Sequence, residues 1–207
     1  MDVSPPTLSI AALGSGEFVS QLHASRHRVH GILTIDSVDM VVIDSAAADT
    51  AAHIDTVLNH ARPGLMVVVV SLSHDLTSLN ALKAAGCMTA LMLWNGDRNW
   101  AVVSTDDIMP VVLELLASEL QVGFRSIPPE HRDSFVAGLL LHHLSHHVAA
   151  HASELQSESA LPPSPVPSFL LDPQVVERSL STLADSQLAD VLAAMVDVAK
   201  NPHPKEN

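Results

Sequence analysis

The chain has 207 residues, 47% of them apolar and only 3% aromatic, with 10 Lys+Arg set against 23 Asp+Glu for a formal charge of −13. That length allows one full domain plus a smaller appendage, with a core that has to be built from Leu, Val, Ile and Ala. The lone Cys87 excludes a disulfide framework, the negative charge opposes direct nucleic-acid binding, and "GLMVVVV" is too short to span a bilayer.

In chain order, "MDVSPPTLSI" carries no secretory pattern, so a cytoplasmic protein is expected. "LSIAALG" (8–14) reads as a strand, with a short helix from Glu17. "VHGILTID" (29–36) and "VDMVVIDS" (38–45) read as two further strands with almost nothing between them. The helical "AADTAAHIDTVLNHA" leads through "RPG" to the strand "LMVVVVS". "LTSLNALKAAG" reads as a helix stopped by Gly86, "TALMLW" as the fifth strand, and "DDIMPVVLELLASELQ" as an amphipathic helix. Continuous β-branched runs alternating with helices indicate a parallel sheet covered on both faces. The expected fold is α/β: a flavodoxin-like, doubly wound, five-stranded parallel sheet over residues 5–122, followed by an α-helical C-terminal extension. That extension divides into a His-rich amphipathic helix over 128–157, a Pro-rich linker over 158–170 and a helical tail over 171–201.

Several constellations carry chemistry. "GSGE" after the first strand, with Asp36 following at the right distance, has the spacing of a dinucleotide fingerprint, but Val19 stands where its third glycine belongs. A plain strand-to-helix turn is the simpler reading. The fingerprint leaves an alternative, a nucleotide or small-metabolite module using Gly14, Gly16, Asp36, Asp44 and Ser71 at the carboxyl ends of the strands. Cys87 reads as a buried structural thiol. In "LLLHHLSHHVAAH", His142, His143, His146, His147 and His151 oppose an apolar stripe of Leu141, Leu144, Val148 and Leu155. A metal would need His143, His147, His151 and Glu154 to converge from one helix, which seldom supplies a full ligand set, so a solvated or partner-facing surface is preferred.

"VDMVVID", "LMVVVVSLS" and "ALKAAGCMTALML" resemble the second half of a receiver domain of LuxR/NarL-type response regulators. The tail "LDPQVVERSLSTLADSQLADVLAAMVDVAKN" is similar to the entry into their helix-turn-helix. The resemblance implies Asp44 at the phosphoacceptor position, with Ser71 as the hydroxyl partner. Gly14 and Ser15 stand where an acidic pair would hold Mg²⁺, and Leu93 or Trp94 stands in place of the family's lysine, so this position is expected to be inactive. The chain ends before a recognition helix, so no direct DNA contact is expected. These features imply a non-enzymatic, phosphorylation-independent regulator with no cofactor. It would act through a protein partner or a homodimer, with Leu113, Leu116 and Leu120 as contact residues.

Overall fold

A computed structural model describes residues 7–94, 99–156, 171–184 and 188–200. Between Pro129 and Glu130 the chain divides into two compact units, Met1–Pro129 and Glu130–Asn207.

In the first unit the apolar runs become strands because they are buried on both sides. β1 (Ser9–Gly14), β3 (Met40–Asp44), β4 (Met66–Val70) and β5 (Met88–Trp94) lie parallel, and every residue of β3 is buried. β2 (Arg28–His30) is a short parallel strand at the edge beside β1. Two further strands follow, β6 (Asn99–Ser104), antiparallel to β5, and β7 (Gly123–Ser126), parallel to β6. The seven-stranded order is β2-β1-β3-β4-β5-β6-β7.

The α/β class and the parallel run therefore stand, while the five-stranded receiver-like sheet is corrected to seven strands. β6 and β7 were missed for different reasons. "NWAVVS" follows "NG" (95–96), a hairpin signal between two apolar runs, which the reading of "TALMLW" as the last strand passed over. β7 is a four-residue strand, mostly exposed, with no alternation to detect. The second strand was overextended: beyond His30 the chain turns into a 3-10 segment, Ile32–Ser37, that buries Ile35 and places Asp36 outside any strand.

Helices α1 (Glu17–His23), α2 (Ala47–Leu58), α3 (Asn80–Ala84) and α4 (Ile108–Glu119) connect these strands. α4 starts where the Asp106 carboxylate accepts from the amides of Ile108 at 2.7 Å and Met109 at 3.2 Å, satisfying donors that a helix start leaves open. Met109, Leu113, Leu116 and Ala117 return at helical spacing and join a core containing Phe18, Leu22, Val42, Val68, Met92 and Trp100. Phe18 and Trp100 meet edge-on, with ring centroids 4.7 Å apart.

The second unit is helical. α5 (Arg132–Gln156), α6 (Pro173–Thr182) and α7 (Leu188–Lys200) pack on one another. α6 begins at Asp172, whose side chain accepts from the Gln174 amide at 2.9 Å, with Pro173 in the first turn where its missing N–H costs nothing. α5 buries Val136, Ala137, Leu140 and Leu144, α6 buries Val175, Val176 and Ser179, and α7 buries Leu192 and Val196. The expected linker at 158–170 lies outside the described residues. Among the described residues, no helix is long and apolar enough to cross a membrane.

Candidate functional site

β1 pairs with β2 on one side and with β3 on the other, so successive connections leave β1 in opposite directions. In open α/β sheets the crevice outside the carboxyl ends of the strands at such a switch point is the ligand position. Here it lies at Gly14 and Asp44, which are register partners.

The turn after β1 is built around Asp44. Gly14 has φ +95°, a conformation that side chains rarely adopt, and a Cβ there would strike the Asp44 carbonyl oxygen. A Cβ on Gly16 would land on the Asp44 carboxylate itself. The Gly16 amide donates to the Asp44 carbonyl at 3.1 Å, and the Val19 amide donates to the Asp44 carboxylate at 3.2 Å. The Phe18 amide also bonds this carboxylate. Asp44 is only 9% exposed. Burial raises its pKa, the Val19 and Phe18 amides oppose that rise, and the Glu17 charge adds to it.

Two histidines that the sequence did not single out border the strand ends. His53 Nδ1 lies 3.0 Å from the Ser45 hydroxyl, which is 3.3 Å from Thr50 Oγ1. His74 Nδ1 lies 2.9 Å from the Ser71 hydroxyl, with Ser73 Oγ 3.2 Å from Ser71 Oγ. Spacing hinted at one pair, since His74 follows Ser71 by a single turn. The other pair needed the second turn of α2 to lie over the end of β3.

Of the residues expected from the sequence, Gly14, Gly16 and Asp44 come together. Ser71 lies just past β4, with its amide on the Met92 carbonyl at 3.1 Å. Asp36 does not sit at a strand end: its exposed carboxylate meets His60 Nδ1 at 2.8 Å. Leu113 and Leu116 lie in the unit's own core and Leu120 packs partly buried against it, whereas α4 exposes Ile108, Val111 and Leu115. Cys87 is buried, its thiol pKa raised by that burial, and its Sγ lies 3.7 Å from the Arg62 carbonyl oxygen. On α5, His142 and His146 touch edge-on with centroids 4.6 Å apart. The side chains of His151 and Glu154 lie outside the described ones, and among the described residues no three His, Cys, Asp or Glu side chains converge as metal ligands.

No family model and no curated protein matches this chain. Solved structures do. A UDP-D-ManNAc dehydrogenase from Pyrococcus horikoshii superposes with a TM-score of 0.63 at 10% identity, covering 93% of this chain and 69% of that one. A UDP-glucose dehydrogenase from Pyrobaculum islandicum gives 0.61 at 11% identity, covering 98% and 70%. A ketopantoate reductase from Ralstonia eutropha JMP134 gives 0.52 at 11% identity, covering 95% and 100%.

The fold is Rossmann-like. The response-regulator resemblance is thereby overturned, together with the regulatory function drawn from it: the structural neighbours are dehydrogenases and reductases. The expectation of a non-enzymatic protein is corrected in the same way, because this is a fold that enzymes use. The misreading has a structural origin. The order β2-β1-β3-β4-β5 is also that of flavodoxin-like sheets, so an aspartate closing the third strand looks alike in both until β6 and β7 are seen.

Rossmann folds bind dinucleotides at this turn, and the residues here do not fit one. The amides that would face its pyrophosphate are held by the Asp44 carboxylate, Val19 is buried in place of the third glycine, and Asp36 lies away from β2.

Proposed function

We propose that the N-terminal unit is a ligand-binding module that takes a nucleotide or a small metabolite of that kind in the crevice between the ends of β1 and β3. The observation that carries this reading is the switch-point turn, where Gly14 and Gly16 both press against Asp44. Its likeness in fold to dehydrogenase and reductase domains supports the same place. Ser45 and Ser71 add hydroxyls at neighbouring strand ends, and a net charge of −13 favours a small ligand over duplex DNA. A cytoplasmic location belongs to the same proposal. So does association with a protein partner or a second copy, for which Ile108, Val111 and Leu115 are the exposed apolar residues of α4.

Isothermal titration of the full chain with nucleosides, nucleotides and dinucleotides tests the reading. One-to-one binding that weakens in Ser45→Leu, which adds bulk beside the turn without touching either glycine, is the expected result. The absence of binding across the whole panel at millimolar concentration overturns it.

A further inference from the structure

The C-terminal ends of α1 and α4 border a cavity of about 380 Å³, at the far end of α1 from the Gly14–Asp44 turn. That volume lies within the range of small-molecule sites. Gln21, Ser25, Arg26, Glu119 and Gln121 supply its polar groups. Arg26 meets both oxygens of Glu119, Nη2 reaching Oε2 at 2.7 Å and Nε reaching Oε1, so these two charges are matched to each other. The buried His27 ring supports the same carboxylate. Its Nδ1 accepts from the Leu8 amide at 3.2 Å, which leaves the ring proton on Nε2, 3.5 Å from Glu119 Oε1.

Two glutamines on the cavity wall are not accounted for by the fold. Gln21 Oε1 is buried with no hydrogen-bond partner, a state that folded proteins seldom leave without a reason. Gln121 has φ +55°. Its amide donates to the Ser118 carbonyl at 3.2 Å, and the Val122 amide donates to the Ala117 carbonyl at 3.0 Å. That pair of bonds is the helix stop at which glycine is the unstrained choice. A glutamine side chain is kept there at a conformational cost, and it lines the cavity.

We propose that this cavity is a second ligand site, separate from the crevice at the strand ends, and that it takes a small organic ammonium ion. An ammonium group has three donors and no acceptor, so it needs oxygens from several directions. Gln21 Oε1 is an acceptor that already lacks a donor, and its half-buried side chain can turn toward the cavity by a change of rotamer. Gln121 faces the same space from α4. Glu119 keeps acceptor capacity beyond Arg26, because a carboxylate has about four lone-pair directions. The cavity also lies at the C-terminal, negative end of α4 in a chain of net charge −13, which favours a cation. An anion would be opposed by Glu119 and by the same helix end.

Titration calorimetry on the full chain in about 0.15 M salt, where distant charges are screened, tests the site with 1,4-diaminobutane. 1,4-Butanediol and succinate serve as neutral and anionic probes of the same length. The wild type is compared with Gln21→Leu, with Gln121→Gly and with Asp55→Asn, an exposed acid of α2 away from the cavity. The diamine should bind one-to-one with a dissociation constant of about 1 mM or tighter, and the diol and succinate should not bind. Each glutamine variant should weaken the diamine about tenfold, the size expected for one hydrogen bond to a charged group, while Asp55→Asn changes nothing. Thermal melts supply the readout that a structural role would not give: Gln121→Gly relieves the positive φ, so it should hold or raise the melting temperature while losing affinity. If Gln21→Leu fails to fold, Gln121→Gly decides alone. No diamine binding at about 10 mM overturns the proposal. Equal affinity in the wild type and the glutamine variants means an adventitious attraction to an acidic surface and overturns it too. Binding of the diol or succinate as tightly as the diamine refutes the ammonium class.

Discussion

The β1–α1 turn and the histidine face of α5 present opposite arrangements of polar chemistry. At the turn, groups from separate elements meet at Asp44: the Val19 amide of α1 bonds its buried carboxylate, the Gly16 amide bonds its carbonyl, and Gly14 of β1 leaves room for that carbonyl. On α5, five imidazoles fall between His142 and His151, yet the described ones lie along one helix, His142 and His146 exposed and His143 and His147 half-buried toward the side of Leu140 and Leu144. The turn holds a few groups brought from separate elements, whereas the histidines of α5 are strung along a single helix. Site chemistry follows convergence from separate elements rather than local density, because a ligand needs partners from several directions at once.

Substitutions can break that contrast at either end. Gly14→Ala should have the largest effect, because it adds both a disfavoured φ and a collision with the Asp44 carbonyl. A loss of about 3 to 5 kcal/mol is expected in urea unfolding of the full chain. A change below about 1 kcal/mol would mean that the turn is not held as tightly as its contacts imply. Leu144→Ala, on the buried side of α5, should cost about 2 to 5 kcal/mol by the same measurement.

Asp44→Asn sharpens the comparison through pH. Burial holds the folded-state pKa of Asp44 above its ordinary 3.8, so the folded protein binds that proton more tightly than the unfolded chain does. The associated stability is complete below about pH 3.8 and is lost as pH rises through the raised value. The Asn variant, which cannot ionise, should therefore gain in melting temperature relative to the wild type between pH 4 and pH 7.5. A difference that stays constant across that range would refute the buried-charge account.

Association gives the next test. If the chain pairs with itself through α4, light scattering should give twice the monomer mass, and Leu115→Glu should return it to the monomer. The smallest effect is expected at the histidines: His142→Gln together with His146→Gln should change stability by less than about 0.5 kcal/mol at pH 7.5. A melting temperature that EDTA lowers in the wild type but not in this double variant would restore a metal to the helix.

Much of the architecture was legible because burial on both faces leaves a plain mark. "MVVID" and "MVVVV" can hardly be anything but central strands of a covered sheet, and β1, β3, β4 and β5 lie where their apolar runs do. Asp106 and Asp172 marked the starts of α4 and α6 in the same local way. Of the extra strands, β7 is too short to show a period, whereas β6 was legible in the hairpin signal "NG" between two apolar runs, with which its antiparallel register on β5 agrees.

What the sequence determined by itself is the α/β class, the parallel run of strands, the glycine turn and the helical C-terminal unit. Each of these rests on interactions between residues close in the chain or on periodic burial that composition records directly. Tertiary structure alone decided that the sheet is Rossmann-like rather than receiver-like, that Asp36 pairs with His60 away from the strand ends, and that Leu113 faces inward while Leu115 faces out. It also decided that Asp44 closes the glycine turn. Strand order and the meeting of residues 24 or more positions apart depend on which surfaces are buried together, and no local pattern encodes that choice.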